Sequence, residues 1–149
     1  MLKGIDPLLG PDLLHCLRAM GHGDQLVIAD ANFPASSVAQ RLLRLDGVSA
    51  TTALAAILTV FPLDQFVPAP VAVMQVVGKP GEVPDTVRDF QQLLDRAQGG
   101  PVLIEPVERF AFYERSRAAY AVVVTGERRF YGNVILAKGV ISPPAAATA

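Results

Sequence analysis

Apolar stretches of differing period, separated by short polar, glycine- or proline-marked breaks, predict an interleaved set of helices and strands. Over residues 11–20, Leu13, Leu14, Leu17 and Met20 fall on one helical stripe. Pro11 suits the first turn of that helix and Gly21 its left-handed stop. Residues 26–29 are apolar on both faces, as in a strand buried within a layered sheet. Residues 31–37 read as a polar loop broken by Pro34, and residues 42–48 as a connection with a turn at Asp46-Gly47. Residues 51–61 predict a second helix with Ser49 or Thr51 as its cap. Residues 71–77 predict a strand and 78–84 a Gly/Pro-rich loop. Residues 85–97 predict a third helix, capped by Asp85 and ended by Gly99-Gly100. A short strand over 102–104 and a fourth helix over 108–117 follow. Residues 120–125 and 131–137 then predict two strands joined by 126–129, with Glu127-Arg128-Arg129 as an exposed hairpin tip. The segment 142–149, SPPAAATA, is a low-complexity tail expected to be disordered.

Helices alternating with strands give an α/β class, a single compact domain over residues 1–141 with a central mixed sheet flanked by helices. A chain of 149 residues fits one domain and buries enough surface to fold without a staple. The net charge of −1 gives no electrostatic reason to expect nucleic acid or an anionic membrane as partner. The single cysteine, Cys16, excludes an intrachain disulfide and fits a reducing cytoplasm. The opening MLKGIDPLLG has no signal-peptide core, and no stretch has the apolar length of a spanning helix. Two histidines and one cysteine do not make a zinc set, so no metal is expected. Neither GxxxxGK[ST] nor GxGxxG occurs, which argues against a nucleotide. Ser36-Ser37 has no histidine near it in sequence, so a serine hydrolase is unsupported. Apolar residues make up 51% of the chain and charged residues only 18%, below the roughly 25% usual for soluble domains. That excess is expected at subunit interfaces, in a homo-oligomer, with an unusually large core as the alternative.

Two clusters carry candidate chemistry. His22 stands between two glycines just after a helix, and Asp30 ends the apolar strand eight residues on. Ligands bind at the carboxyl ends of strands in open α/β sheets, and an Asp–His pair is a common acid/base arrangement. The same two residues read equally well as a turn histidine and a loop-capping aspartate. The second cluster holds six aromatics: Phe110, Phe112, Tyr113, Tyr120, Phe130 and Tyr131. In a helix over 108–117, Arg109 and Tyr113 share one face at i,i+4. In a strand over 131–137, Tyr131 and Asn133 point one way, with Gly132 opposite. Hydrogen-bonding heads beside flat rings suit a small polyol, the rings covering C–H faces and the heads binding hydroxyls. Phe110 and Phe112 read better as core residues. His15 and Cys16 read as packing or surface positions.

The blocks MGHGDQLVIADANFPASS (20–37), RLDG (44–47) and RFAFYERSRAAYAVVVTGERRFYGNVILAKGV (109–140), with the opening LKGIDPLLGPDLL, resemble the ribose pyranase/fucose mutarotase family, and GHGD and FAFYER its fucose branch. The resemblance runs from about residue 2 to 141. It implies a cytoplasmic isomerase that interconverts the α and β anomers of L-fucose without a cofactor. It further implies His22 as the proton-donating catalytic residue, and Asp30, Arg109 and Tyr131-Gly132-Asn133 as binders of the sugar. Tyr113 and Tyr120 are pocket neighbours on the same ground. Asp30 is expected to orient or charge His22, and Tyr131 or a water to handle the second proton. A ring-shaped homo-oligomer, often a decamer, with sites near subunit contacts is implied as well. Two other readings stay open: a D-ribose pyranase and a non-catalytic monosaccharide-binding module.

Overall fold

The central strands are runs of aliphatic residues buried on both sides, which requires helices above and below them. In the computed structural model, which describes residues 1–145, six strands form one sheet. They are β1 (Gln25–Ala29), β2 (Leu42–Leu45), β3 (Val71–Met74), β4 (Ile104–Val107), β5 (Ala121–Thr125) and β6 (Val134–Ala137). Their order across the sheet is β2-β5-β1-β6-β3-β4. β1 and β2 each pair parallel with β5, and β3 pairs parallel with β4. β6 runs antiparallel to both neighbours, wedged between β1 and β3.

Alternate residues of the strands feed two cores. Leu26, Ile28, Val123 and Leu136 face one side, against α1 (Pro11–Ala19), α3 (Ala50–Leu58) and α4 (Asp85–Gln98) through Leu17, Leu54, Ile57, Phe90 and Leu94. Val27, Ala72, Val122 and Ile135 face the other, beneath α2 (Ala35–Val38) and α5 (Arg109–Ala118) through Val38 and Phe112. The expected α/β domain with a mixed sheet between helices is therefore the observed one.

Several local expectations are corrected. Residues 120–125 and 131–137 form no hairpin: β1 lies between β5 and β6, and pairs with both. The connection instead arches over the carboxyl end of β1, where Ala31 N–H donates to the Glu127 carbonyl at 2.9 Å. Glu127 is accordingly buried rather than at an exposed tip. Residues 42–48 contain β2, a half-exposed edge strand whose pairing with β5 outweighs its weak pattern. The 31–37 loop runs into one helical turn, α2. Gly21 is not the left-handed stop: Met20 is extended after α1, and Gly23 takes φ +82°. Asp85 is the first helical residue rather than a side-chain cap. Phe112 is core, but Phe110 is 68% exposed. The strand expected over 102–104 forms later, as β4. Of the tail, residues 142–145 are exposed without regular structure, and 146–149 lie outside the described residues.

Candidate active site

Strand polarity decides which functional residues meet. β1 and β6 are antiparallel neighbours, so the carboxyl end of β1 abuts the start of β6. Asp30 follows the first and Asn133 precedes the second. The two lock reciprocally: Asp30 N–H donates to Asn133 Oδ1 at 2.8 Å, and Asn133 Nδ2 donates to Asp30 Oδ2 at 3.0 Å. The same pairing fixes which way the Asn133 amide points. Asn32 N–H donates to the other Asp30 oxygen at 2.9 Å. Burial pushes the Asp30 carboxyl above its ordinary value, and these hydrogen bonds pull against that rise.

Around this pair opens a cavity of about 370 Å³. Asp30, Asn32, Asn133, Tyr131 and Arg109 give it hydrogen-bonding groups. Phe33, Met74, Val77, Tyr113 and Phe130 give it apolar and aromatic walls. Its size and mixed lining suit a small polar ligand with at least one apolar face. Tyr131 lies before β6, not within it, and holds φ +60°, the left-handed conformation that a non-glycine residue adopts at a cost of roughly 1–2 kcal/mol. Its phenolic oxygen accepts from Val77 N–H at 3.1 Å, which leaves the O–H free to donate into the cavity. Gly132 sits at a close approach: an added Cβ would lie 2.7 Å from Glu127 Cγ and 3.4 Å from Asp30 Cβ. Arg109 and Tyr113 do share one face of α5, with Arg109 Nε donating to the Tyr113 hydroxyl at 3.4 Å.

The other candidate residues lie elsewhere. His22 precedes β1, so the whole strand separates it from Asp30. Five residues at about 3.3 Å each make that roughly 17 Å. The carboxylate beside His22 is Asp64, not Asp30. His22 Nε2 lies 3.1 Å from Asp64 Oδ1, with the imidazole about half exposed and the carboxylate 5% exposed. The Phe66 N–H, and after it His22, hold the Asp64 carboxyl below its ordinary value. The Phe66 ring stands edge-on to the imidazole at 5.5 Å and is itself largely exposed. Both members of the pair hang on the far end of β6. Gly23 N–H donates to the Lys138 carbonyl, and Asp64 N–H to the Ala137 carbonyl. Tyr120 is outside the cavity too. Its N–H donates to Gln25 at the start of β1, and its ring lies under the Arg41 guanidinium at 4.1 Å. One end of β1 thus carries a polyol-sized cavity, and the other an exposed imidazole backed by a buried carboxylate.

Sequence reasoning missed Asp64, which lies 42 residues from His22 in a loop without a local motif. It also missed the wall residues Phe33, Met74 and Val77, since only the sheet order brings their loops together, whereas Phe130 belonged to the aromatic cluster already singled out. Asn32 carried a weak signal as the residue two past Asp30.

The chain is 47% identical over 142 residues to the L-fucose mutarotase of Actinobacillus pleuropneumoniae serotype 5b, a match spanning 94% of this chain and 97% of that one. It is 45% identical over 147 residues to the fucose mutarotase of Homo sapiens, spanning 95% of each. Among solved structures, the fucose mutarotase of Streptococcus pneumoniae in complex with L-fucose matches with a TM-score of 0.88 at 43% identity, covering 95% of this chain and 100% of that one. Bacillus subtilis RbsD complexed with D-ribose matches with a TM-score of 0.69 at 25% identity, covering 95% and 100%. The model of the RbsD / FucU transport protein family matches residues 3–141, and this chain belongs to that family.

Proposed function

We propose that this protein is an L-fucose mutarotase, a carbohydrate isomerase that interconverts the α and β anomers of the sugar. The observation that carries the reading is the cavity at the carboxyl end of β1. It brings the Asp30–Asn133 pair, the Tyr131 hydroxyl and Arg109 together with Met74, Phe33 and Val77 in one lining. A 6-deoxyhexose offers a partner to each kind, hydroxyls to the polar groups and a methyl group to the apolar ones. The relatives named fucose mutarotase over nearly the full chain support the same choice.

Mutarotation adds a proton to the ring oxygen and removes one from the anomeric hydroxyl. The ring opens to the aldehyde, C1 turns, and the ring closes on its other face. Asp30 and Asn133 accept from and donate to sugar hydroxyls, Arg109 donates to them, and Gly132 lets the backbone approach. Tyr131 O–H stands at the cavity as one proton carrier. His22 is the second, with Asp64 fixing its ring. Because β1 separates His22 from the cavity of its own chain, the histidine acts in the cavity of a neighbouring subunit. The exposed rings of Phe66 beside His22 and Phe130 at the cavity are the apolar surfaces that such a contact covers. We take the assembly to be a ring-shaped homo-oligomer, with ten chains as the stoichiometry to test first. A buried Cys16 and the absence, among the described residues, of any helix long and apolar enough to cross a membrane fit a cytoplasmic location.

The test is NMR exchange between L-fucose anomers, with light scattering to size the particle. The wild type should accelerate exchange. His22→Ala should lose roughly 10²–10⁴ of that acceleration, the range of one positioned acid/base group, while retaining fold and assembly. Wild-type exchange in the variant sinks the role of His22. Saturation transfer for D-ribose with none for L-fucose turns the reading to a ribose pyranase, and fucose-induced shifts without exchange turn it to a binding module.

A further inference from the structure

The arch between β5 and β6 contains an ionic network that touches no cavity-lining carboxylate. Glu127 is 4% exposed, yet it bears a charge. Its carboxylate accepts from Arg129 Nε and Arg129 N–H at Oε1, and from an Arg129 terminal nitrogen at Oε2, all at 3.0 Å. The other arm of the Arg129 guanidinium reaches Asp89 Oδ2 on α4 at 2.8 Å. The backbone around Glu127 is equally committed. Its N–H donates to Thr125 Oγ1, which donates to the Ala29 carbonyl, and its own carbonyl accepts from Ala31 N–H. Glu127 is therefore linked to both chain neighbours of Asp30, to Ala31 directly and to Ala29 through Thr125, and an added Cβ at Gly132 would sit 2.7 Å from its Cγ. Thr86 Oγ1 of α4, donating to the Phe130 carbonyl at 3.3 Å, is a further tie to the same helix.

We infer that the Glu127–Arg129–Asp89 network is a positioning clamp that holds the Tyr131-Gly132-Asn133 segment, with Tyr131 in its left-handed conformation, in register with Asp30. A left-handed tyrosine persists only where its surroundings over-determine it. Ahead of it in the chain, Glu127 is tied to the end of β1, and Arg129 and Phe130 to α4, which supplies that over-determination. Arg129 is the central member, since its planar fork alone engages Glu127 through two nitrogens while still reaching Asp89. Lysine, with one nitrogen, cannot reproduce the two-nitrogen grip on Glu127 while it reaches Asp89, so Arg129→Lys should restore only part of the function. The inference rests on the mutarotase reading for its kinetic effect, but not for its effect on Tyr131.

The experiment uses the full-length protein with ring-labelled tyrosine. Only Tyr113, Tyr120 and Tyr131 contribute signals, so each can be assigned by single Tyr→Phe variants. In ligand-free Arg129→Met, the Tyr131 resonance should shift or broaden while that of Tyr120, at the other end of the sheet, stays in place. Anomer exchange for L-fucose should lose about tenfold or more in kcat/KM per folded molecule, and Arg129→Lys should fall between it and wild type. Asp89→Ala, at a half-exposed surface position, should move the Tyr131 signal in the same direction by less. It serves as the deciding variant if Arg129→Met does not fold. An unmoved Tyr131 signal with wild-type kcat/KM in Arg129→Met, or in both Asp89→Ala and Arg129→Lys, overturns the clamp. Absence of wild-type anomer exchange with a displaced Tyr131 signal overturns the enzymatic reading and leaves the clamp standing.

Discussion

Gly132 touches Glu127, Asp30 and the Arg129 carbonyl with no room for one more carbon. Gly132→Ala should lower stability by roughly 1–3 kcal/mol, as overpacking does, and should weaken fucose binding more than its stability loss explains. Urea unfolding beside a fucose titration measures both. A small binding change with a large stability change places Gly132 outside the sugar site. Glu127 supplies a pH signature. Its hydrogen bond from the Arg129 side chain, the largest influence, holds its carboxyl below the ordinary 4.5. Ionised Glu127 therefore stabilises the fold above that value, and the contribution fades as pH falls through the lowered one. The stability gap between wild type and Glu127→Gln should be wide at about pH 7 and narrower in acid, below the lowered value. An equal gap at both rejects the charge as its source. Residue by residue, Asp30, Arg109, Tyr131 and Asn133 line one cavity. Polar heads beside aromatic rings had already singled out the last three as candidates, and its place at the end of an apolar strand Asp30. Asp64 was not legible, since a contact made across 42 residues leaves no spacing to read.

The elements were legible where pattern and caps agree. The Ser49 side chain accepts from Thr52 N–H at the start of α3, and Gly99 ends α4 at φ +74°. They failed where tertiary pairing decides. β2 is polar enough to pass for a loop until β5 pairs with it, and two adjacent strands with a turn between them mimic a hairpin although β1 separates them. At α5, position and function meet. Glu108 caps the helix, its carboxylate accepting from Phe110 and Ala111 N–H at 2.9 and 3.1 Å, one residue before Arg109 enters the cavity. Glu108→Ala should cost about 1 kcal/mol and loosen the turn that carries Arg109. A raised KM for L-fucose with nearly unchanged kcat is the expected readout, and an unchanged KM would show that Arg109 is held without its cap.

At the scale of the whole molecule, His22 and Asp30 lie at opposite ends of β1, so the proposed mechanism draws on two chains. Mixing dissociated His22→Ala and Asp30→Asn subunits and allowing them to reassemble should restore about a quarter of wild-type activity, as random pairing in a closed ring requires. Each variant alone should stay inactive. No recovery in verified mixed particles would return both residues to a single chain. The placement of β6 has a different consequence, for synthesis and folding. The last strand along the chain is a central strand of the sheet, so until residues 134–137 leave the ribosome β1 and β3 both present bare edges. Strand pairing then leaves two fragments, β2-β5-β1 and β3-β4, linked through the segments that carry α3 and α5. Insertion of β6 seals both edges at once, and in the same movement draws Asn133 onto Asp30 and Lys138 onto the His22 turn. A nascent chain halted before residue 134 is therefore exposed to pairing with other chains along two open strands.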